Sequence, residues 1–159
     1  MAYGNINYPG AQPINETSTV QRHPLGTVVK GADPDNGEAE FVYLKGVAST
    51  AVGDFVEISA EFATVRLLAA SAVIGRPLAV AMSANVLNQF GWYAVRGRVP
   101  ATFAGAAVAG SRLQATATPG AVDDTATAGD FIDGAITAET VSGAGLGDVF
   151  LMYPQGLNA

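Results

Sequence analysis

Glu40-Phe41-Val42-Tyr43-Leu44-Lys45 is apolar from Phe41 through Leu44 and keeps its charges for the two ends. Aromatic and branched side chains fit a pleated surface, and a run that is apolar on both faces suits a strand buried between layers. Upstream, Thr27-Val28-Val29-Lys30 forms a second short strand pattern, and Asp33-Pro34-Asp35-Asn36-Gly37 between the two reads as a turn. Downstream, Asp54 to Ile58 alternates, with Phe55 and Glu57 on one face and Val56 and Ile58 on the other. Thr64 to Leu68 alternates as well, with Val65 and Leu67 expected to face inward. Pro77 to Ser83 sets Leu78, Val80 and Met82 against Ala79 and Ala81. Gly91 to Val99 sets Tyr93, Val95 and Val99 against Trp92, Ala94, Arg96 and Arg98. Arg112 to Thr118, Phe131 to Thr140 and Val149 to Tyr153 complete the strand candidates.

Many short strands separated by turn residues predict an all-β fold, a small β-sandwich or β-barrel with at most one or two short helices. Ala101 to Ala109 has the composition for two helical turns, interrupted by Gly105. Ser83 to Gln89 suits one turn capped by Ser83. An apolar or small residue followed by Gly-Asp recurs at Val52-Gly53-Asp54, Ala128-Gly129-Asp130 and Leu146-Gly147-Asp148, each time before an apolar run. Glycine accepts positive φ and aspartate bonds its own backbone, so these read as shared turn chemistry. Gly143-Ala144-Gly145-Leu146-Gly147 lacks the spacing of a nucleotide-binding loop and reads as a flexible turn.

Composition narrows the function. The 159 residues include 29 alanines and 19 glycines but only 8 basic and 14 acidic residues, for a net charge of −6. Clustered cations are absent, which argues against direct nucleic-acid binding. Without cysteine, disulfide frameworks and thiolate chemistry are excluded. The most apolar window, Ala63 to Met82, contains Arg66, Arg76 and Pro77, so a membrane-spanning helix is not expected. Met1 to Asn5 shows no basic start followed by an apolar run, so no secretory leader is expected either. Small side chains make thin core layers, a shortfall in burial that subunit contacts would offset.

Residues 1–26 read as an extended N-terminal arm ahead of a single β domain at 27–159. They hold Gly4, Pro9, Gly10, Pro13, Pro24 and Gly26 and show neither helical nor strand periodicity. Tyr3 and Tyr8 make sense if the arm lies on a neighbouring surface; a frayed terminus is the other reading. Removing residues 1–22 is then expected to leave a folded body.

No catalytic constellation is visible. His23, the one histidine, precedes Pro24 in the arm, with no adjacent partner to set its tautomer, and reads as a surface or interface residue. Asp33, Asp35 and Glu38 leave two readings, a weak calcium site or a solvated turn; the EF-hand spacing fails, because Gly37 falls at the fifth position. Asp123-Asp124 and the pair Asp130 and Asp133 also sit in turn-like sequence. No cofactor, metal or catalytic residue is expected. Arg96 and Arg98 share a strand face with Phe90 and Trp92 in strict alternation, which suits either interface anchoring or two ordinary surface arginines. Trp92 beside Asn88 and Gln89 is the candidate for a sugar platform.

The stretch Glu40 to Thr50 resembles a group of small structural proteins of tailed bacteriophages. The likeness continues at Ala79 to Asn85, at Asn88-Gln89-Phe90-Gly91-Trp92-Tyr93, and from Ala115 through Gly120, Val122, Asp123 and Asp124, over roughly residues 24 to 154. The resemblance is to capsid decoration (cement) proteins. It implies a β-tulip-like body, commonly a homotrimer, on the outer capsid surface at local three-fold positions. There it would clamp major capsid protein subunits after the shell expands. Such a protein is made in the host cytoplasm and ends in the virion. Under this resemblance Tyr3, Tyr8, His23, Phe90, Trp92, Arg96 and Arg98 are the candidate capsid or subunit contacts. A carbohydrate-binding β-sandwich, or a tail or head-fibre protein for host attachment, is the alternative; scattered carboxylates alone speak for a hydrolase.

Overall fold

The computed structural model describes residues 4–5, 10–125 and 131–156. Eleven strands follow one another: β1 (Gly4–Asn5), β2 (Val28–Asp33), β3 (Gly37–Lys45), β4 (Phe55–Ile58), β5 (Thr64–Arg66), β6 (Leu78–Ala81), β7 (Phe90–Phe103), β8 (Arg112–Ala115), β9 (Val122–Asp123), β10 (Phe131–Thr137) and β11 (Gly145–Gly156). A single 3₁₀ turn, Ala69–Ser71, is the one helical element among the described residues. The fold is all-β, as expected.

All eleven strands join in one sheet, and β7 is its spine. The first half of β7 pairs with β3, from Lys45↔Phe90 to Glu40↔Arg96. Its second half pairs with β11, from Met152↔Arg96 to Gly145↔Phe103. The path β7, β11, β10, β8, β9 then returns to β7 through the parallel pair Phe103↔Val122, where the Ala104 N–H donates to the Val122 carbonyl at 2.9 Å. On the other half, β6, β4 and β5 lead away from β7 and come back to β3 at the Lys45↔Ala63 bridge. Two curled halves therefore share one strand, a partial barrel rather than two separate sheets.

The alternation in the sequence sorts the core. Leu78, Val80 and Met82 of β6 lie in the larger apolar cluster, with Phe41, Tyr43, Phe55, Trp92 and Phe103. Ala79 and Ala81 lie in a smaller cluster with Val42, Leu44, Val56 and Tyr93. Phe55 and Val56 divide between the two in the same way. The fully enclosed aromatics contribute most, because each buries far more apolar area than the alanines around it.

Strict alternation fails along β7. Phe41 pairs with Ala94 and Glu40 with Arg96, so Val95 is an extra residue in a β-bulge. A bulge of one residue moves every later side chain to the opposite face. Trp92 and Ala94 belong to the larger cluster, and past the bulge so do Val99, Ala101 and Phe103. Arg96 and Arg98 thus leave the face of Trp92 and turn outward. Tyr93 and Val95 join the smaller cluster, apart from Val99.

Other expectations are corrected too. Ala101 to Phe103 continues β7 instead of forming a helix, since the ladder with β11 overrides alanine's helix propensity. Ser83 to Gln89 forms bends and a turn, with Asn88 at φ +62°. Val65 is exposed and Thr64 is buried, because β5 ends at Arg66 before Leu67 enters the core. Gly145 to Gly147 opens β11 and is not a loop. At Gly147 an added Cβ would overlap Val141, so this glycine serves close packing rather than a turn. Ala128 to Asp130 lies outside the described residues.

The described part of the arm is not free-standing. Ile14 is buried in the larger core cluster, and Ser18 bridges to Phe90 with N–H···O contacts of 3.0 and 2.8 Å in the two directions. β1 pairs with β2 at Gly4↔Ala32 and Asn5↔Gly31. Residues 10–23 form a strap laid on their own chain, so the break expected at residue 26 does not separate a core from an arm. No helix among the described residues is long and apolar enough to cross a membrane.

Candidate functional site

On β11, Gly147, Val149 and Leu151 turn inward while Phe150 and Met152 turn out. This alternation ends at a second bulge. Ala135↔Leu151 and Asp133↔Gln155 leave Met152, Tyr153 and Pro154 opposite Gly134 alone. Tyr153 sits there with φ +48°, a left-handed backbone rare for a bulky residue. Two successive residues, Met152 and Tyr153, are therefore exposed. Ile136 of β10 and Leu146 of β11 are also exposed.

Charged groups border this apolar face. Arg96 Nη1 lies 3.9 Å from Glu40 Oε1, and the Tyr153 hydroxyl donates to Glu40 Oε2. The carboxylate of Glu40 accepting this bond raises the Tyr153 pKa above 10.0, with burial adding to the effect. Arg98 Nε lies 2.9 Å from Asp148 Oδ2, and Arg98 Nη2 lies 3.7 Å from Glu139 Oε2. Both arginines are thus ion-paired on the face that carries Met152 and Phe150, their cross-strand partners. A shallow groove of about 680 Å³ runs between Arg96, Ile136, Phe150 and Met152. Its floor needs glycine: a Cβ on Gly134 (φ +76°) would stand 2.6 Å from the Met152 carbonyl oxygen, and one on Gly97 (φ +111°) 2.7 Å from Ala39 Cβ.

Of the residues singled out in the sequence, only Arg96 and Arg98 meet on this face. Tyr3 and Tyr8 lie outside the described residues. Phe90 is half-buried beneath the strap. Trp92 is fully buried and its Nε1–H donates to the Gln12 carbonyl at 2.7 Å, so it is no surface contact and offers no sugar platform. His23 is buried as well, packed against Tyr43 and Trp92 with ring centroids at 5.0 and 5.4 Å, and is not a surface residue. The exposed apolar residues Ile136, Leu146, Phe150, Met152 and Tyr153 escaped notice in the sequence. The alternation of Val149 and Leu151 with Phe150 and Met152 was their one signal.

The acidic clusters have structural work. Asp33 Oδ1 accepts the Asp35 and Asn36 N–H groups at 2.9 and 3.0 Å, and Glu38 pairs with Lys30 at 3.3 Å. Asp123 Oδ1 accepts the N–H groups of Asp124 and Thr125, and Asp124 Oδ2 that of Val108. Among the described residues no three His, Cys, Asp or Glu side chains are grouped so as to hold a metal ion. Buried Asp54 and Glu57 are neutralised by Arg66 at 2.8 Å and Arg76 at 3.4 Å. These pairs tie β4 and the residue before it to β5 and to the loop ahead of β6, where Arg76 also lines a groove with Phe62, Val73 and Ile74.

Comparisons with known protein families, with curated proteins and with solved structures found no match for this chain.

Proposed function

We propose that this chain is a structural protein of a tailed-bacteriophage virion, a capsid decoration protein that binds the outer surface of the expanded head and bridges major capsid subunits, as a homotrimer. The observation that carries this reading is the outer face of β7, β10 and β11. Ile136, Phe150, Met152 and Tyr153 stand uncovered there beside two ion-paired arginines. Aromatic residues, methionine and arginine are the types enriched in protein interfaces, and contiguous exposed apolar surface marks a docking face. The net charge of −6 suits the outside of a shell better than its DNA-filled interior. The sequence resemblance points the same way. The sugar-binding alternative loses its support, because it depended on Trp92 being exposed.

The test is co-sedimentation of the purified chain with expanded and unexpanded shells of the major capsid protein. Saturable binding to expanded shells is expected, with Phe150→Asp binding at least about tenfold more weakly, a loss of about 1.4 kcal/mol. No binding to either shell form would overturn the proposal.

A further inference from the structure

Two buried oxygens, Ser83 Oγ and Asn85 Oδ1, lie where the strap, the loop after β6 and β7 meet, and neither makes a hydrogen bond among the described residues. Ser83 is 4% exposed and Asn85 is fully buried. The Asn85 amide is oriented from its other end. Its Nδ2 donates to the Tyr93 hydroxyl at 3.0 Å and to the Leu44 carbonyl at 3.4 Å, and a carbonyl can only accept. Oδ1 is therefore the end that still needs a donor. Buried polar atoms in folded proteins nearly always have a partner, either protein or ordered water.

Both side chains converge on Gly91. A Cβ on this glycine would stand 3.1 Å from Ser83 Oγ, 3.3 Å from Asn85 Cγ and 3.4 Å from the Glu16 carbonyl oxygen. That carbonyl accepts Gln12 Nε2 at 2.8 Å and keeps a second lone pair. Three polar groups thus surround a point on β7 where the chain carries no side chain. The backbone around them has no slack to close up. Asn85 N–H donates to the Ser83 carbonyl at 2.8 Å, and Gly46 N–H donates to the Gln89 carbonyl at 2.8 Å. A Cβ on Gly46 would overlap the Asn85 carbonyl oxygen, so the loop is already seated hard against β3. On the other side, Ser18 and Phe90 exchange two backbone bonds that fix the strap.

We propose that Ser83, Asn85 and the Glu16 carbonyl form a binding site for a single internal water beside Gly91, which pins the strap to the body. Donors and acceptors balance. The water donates to Asn85 Oδ1 and to the Glu16 carbonyl, and it accepts from the Ser83 hydroxyl. About three hydrogen bonds is the usual complement of a buried water. An apolar occupant would leave both buried oxygens unsatisfied. A hard cation is the poorer occupant as well, since it takes about six oxygen ligands and three neutral oxygens supply neither that number nor any charge. Position 91 is glycine, on this reading, because a side chain there would take the water's place. The site joins three segments far apart in sequence: the strap, the loop after β6, and β7.

A crystal structure of the wild-type chain, at a resolution that orders internal waters, is the first test. A single peak within hydrogen-bond distance of Ser83 Oγ, Asn85 Oδ1 and the Glu16 carbonyl is expected. In solution, water-to-protein nuclear Overhauser effects at the Gly91 α-protons report the same molecule, and water-oxygen relaxation dispersion reports its residence time. Gly91→Ala puts a methyl group in the site, so these Overhauser effects should vanish and the dispersion amplitude should fall by one water. Ser83→Ala removes one of the three bonds and should shorten the residence time by up to about tenfold, the equivalent of one hydrogen bond. Should Gly91→Ala not fold, the crystal peak and the Ser83→Ala residence time decide. Absence of the peak, a direct Ser83–Asn85 hydrogen bond, contacts of metal–oxygen length, an unchanged water signal in Gly91→Ala, or an unchanged residence time in Ser83→Ala would each overturn the proposal.

Discussion

Arg96 and Met152 stand directly opposite each other on β7 and β11, at the level where each strand carries a bulge. The β7–β11 ladder runs without a break from Gly145↔Phe103 and ends at this pair, next to both bulges. Bulges re-aim side chains without ending a sheet. Here they bring Arg96, Met152 and Tyr153 together on the outside while Val99 and Leu151 still reach the core.

Because Phe150 and Met152 spend their side chains on solvent, replacing both with serine should leave unfolding free energy within about 0.5 kcal/mol of wild type. Binding to expanded shells should fall at least about tenfold in the same variant. Thermal melting beside co-sedimentation separates the two effects. A melting temperature that drops sharply would show that the face is covered by the chain itself.

Tyr153 should ionise later than an ordinary tyrosine, since its proton is held by the Glu40 carboxylate. Its folded pKa is raised, so the contribution of this bond is fully present below pH 10.0 and is lost as pH rises through the folded value. Ultraviolet titration of wild type, Glu40→Gln and Tyr153→Phe should assign one late-titrating tyrosine to this pair. In Glu40→Gln that step should move back toward the ordinary value.

Trp92→Ala should cost about 3–5 kcal/mol, because it empties a fully enclosed site and strands the Gln12 carbonyl. Urea unfolding measures this. A loss under about 1 kcal/mol would contradict the packing described.

Deleting residues 1–22 should destabilise the fold rather than leave it untouched, contrary to what an arm would imply. The deletion removes Ile14 from the core and uncovers Trp92, a loss of about 2–5 kcal/mol by analogy with large-to-small core changes. A lowered melting temperature with retained β-sheet circular dichroism is the expected result.

Gly97→Ala should lower stability by about 1–3 kcal/mol, since the new methyl meets Ala39 at 2.7 Å and the backbone sits at φ +111°. Equilibrium unfolding checks it, and Gly143→Ala, where nothing lies within 4 Å, is the control.

Much of the fold was legible because period-two patterns survive wherever a strand is regular. The split of Leu78, Val80 and Met82 from Ala79 and Ala81 was readable on sight, and so was that of Phe55 from Val56. The face of Arg96 was not, because one inserted residue at Val95 reverses the pattern and nothing in its local sequence marks it. The strand at Ala101 to Phe103 was hidden by alanine's helix propensity, which long-range pairing with Gly145 to Gly147 overrides. The strap was illegible for a similar reason. Its order comes from Gln12 meeting Tyr43, Phe90 and Trp92, residues 31, 78 and 80 positions away. Of the candidate site, the two arginines were visible and the apolar side chains beside them were not.

Since β7 lends an edge to both curled halves, neither half owns enough ladder to survive by itself. Melting should accordingly be all-or-none, proteolysis should release no stable fragment from either side of residue 96, and the backbone amides slowest to exchange with heavy water should lie along this one shared strand.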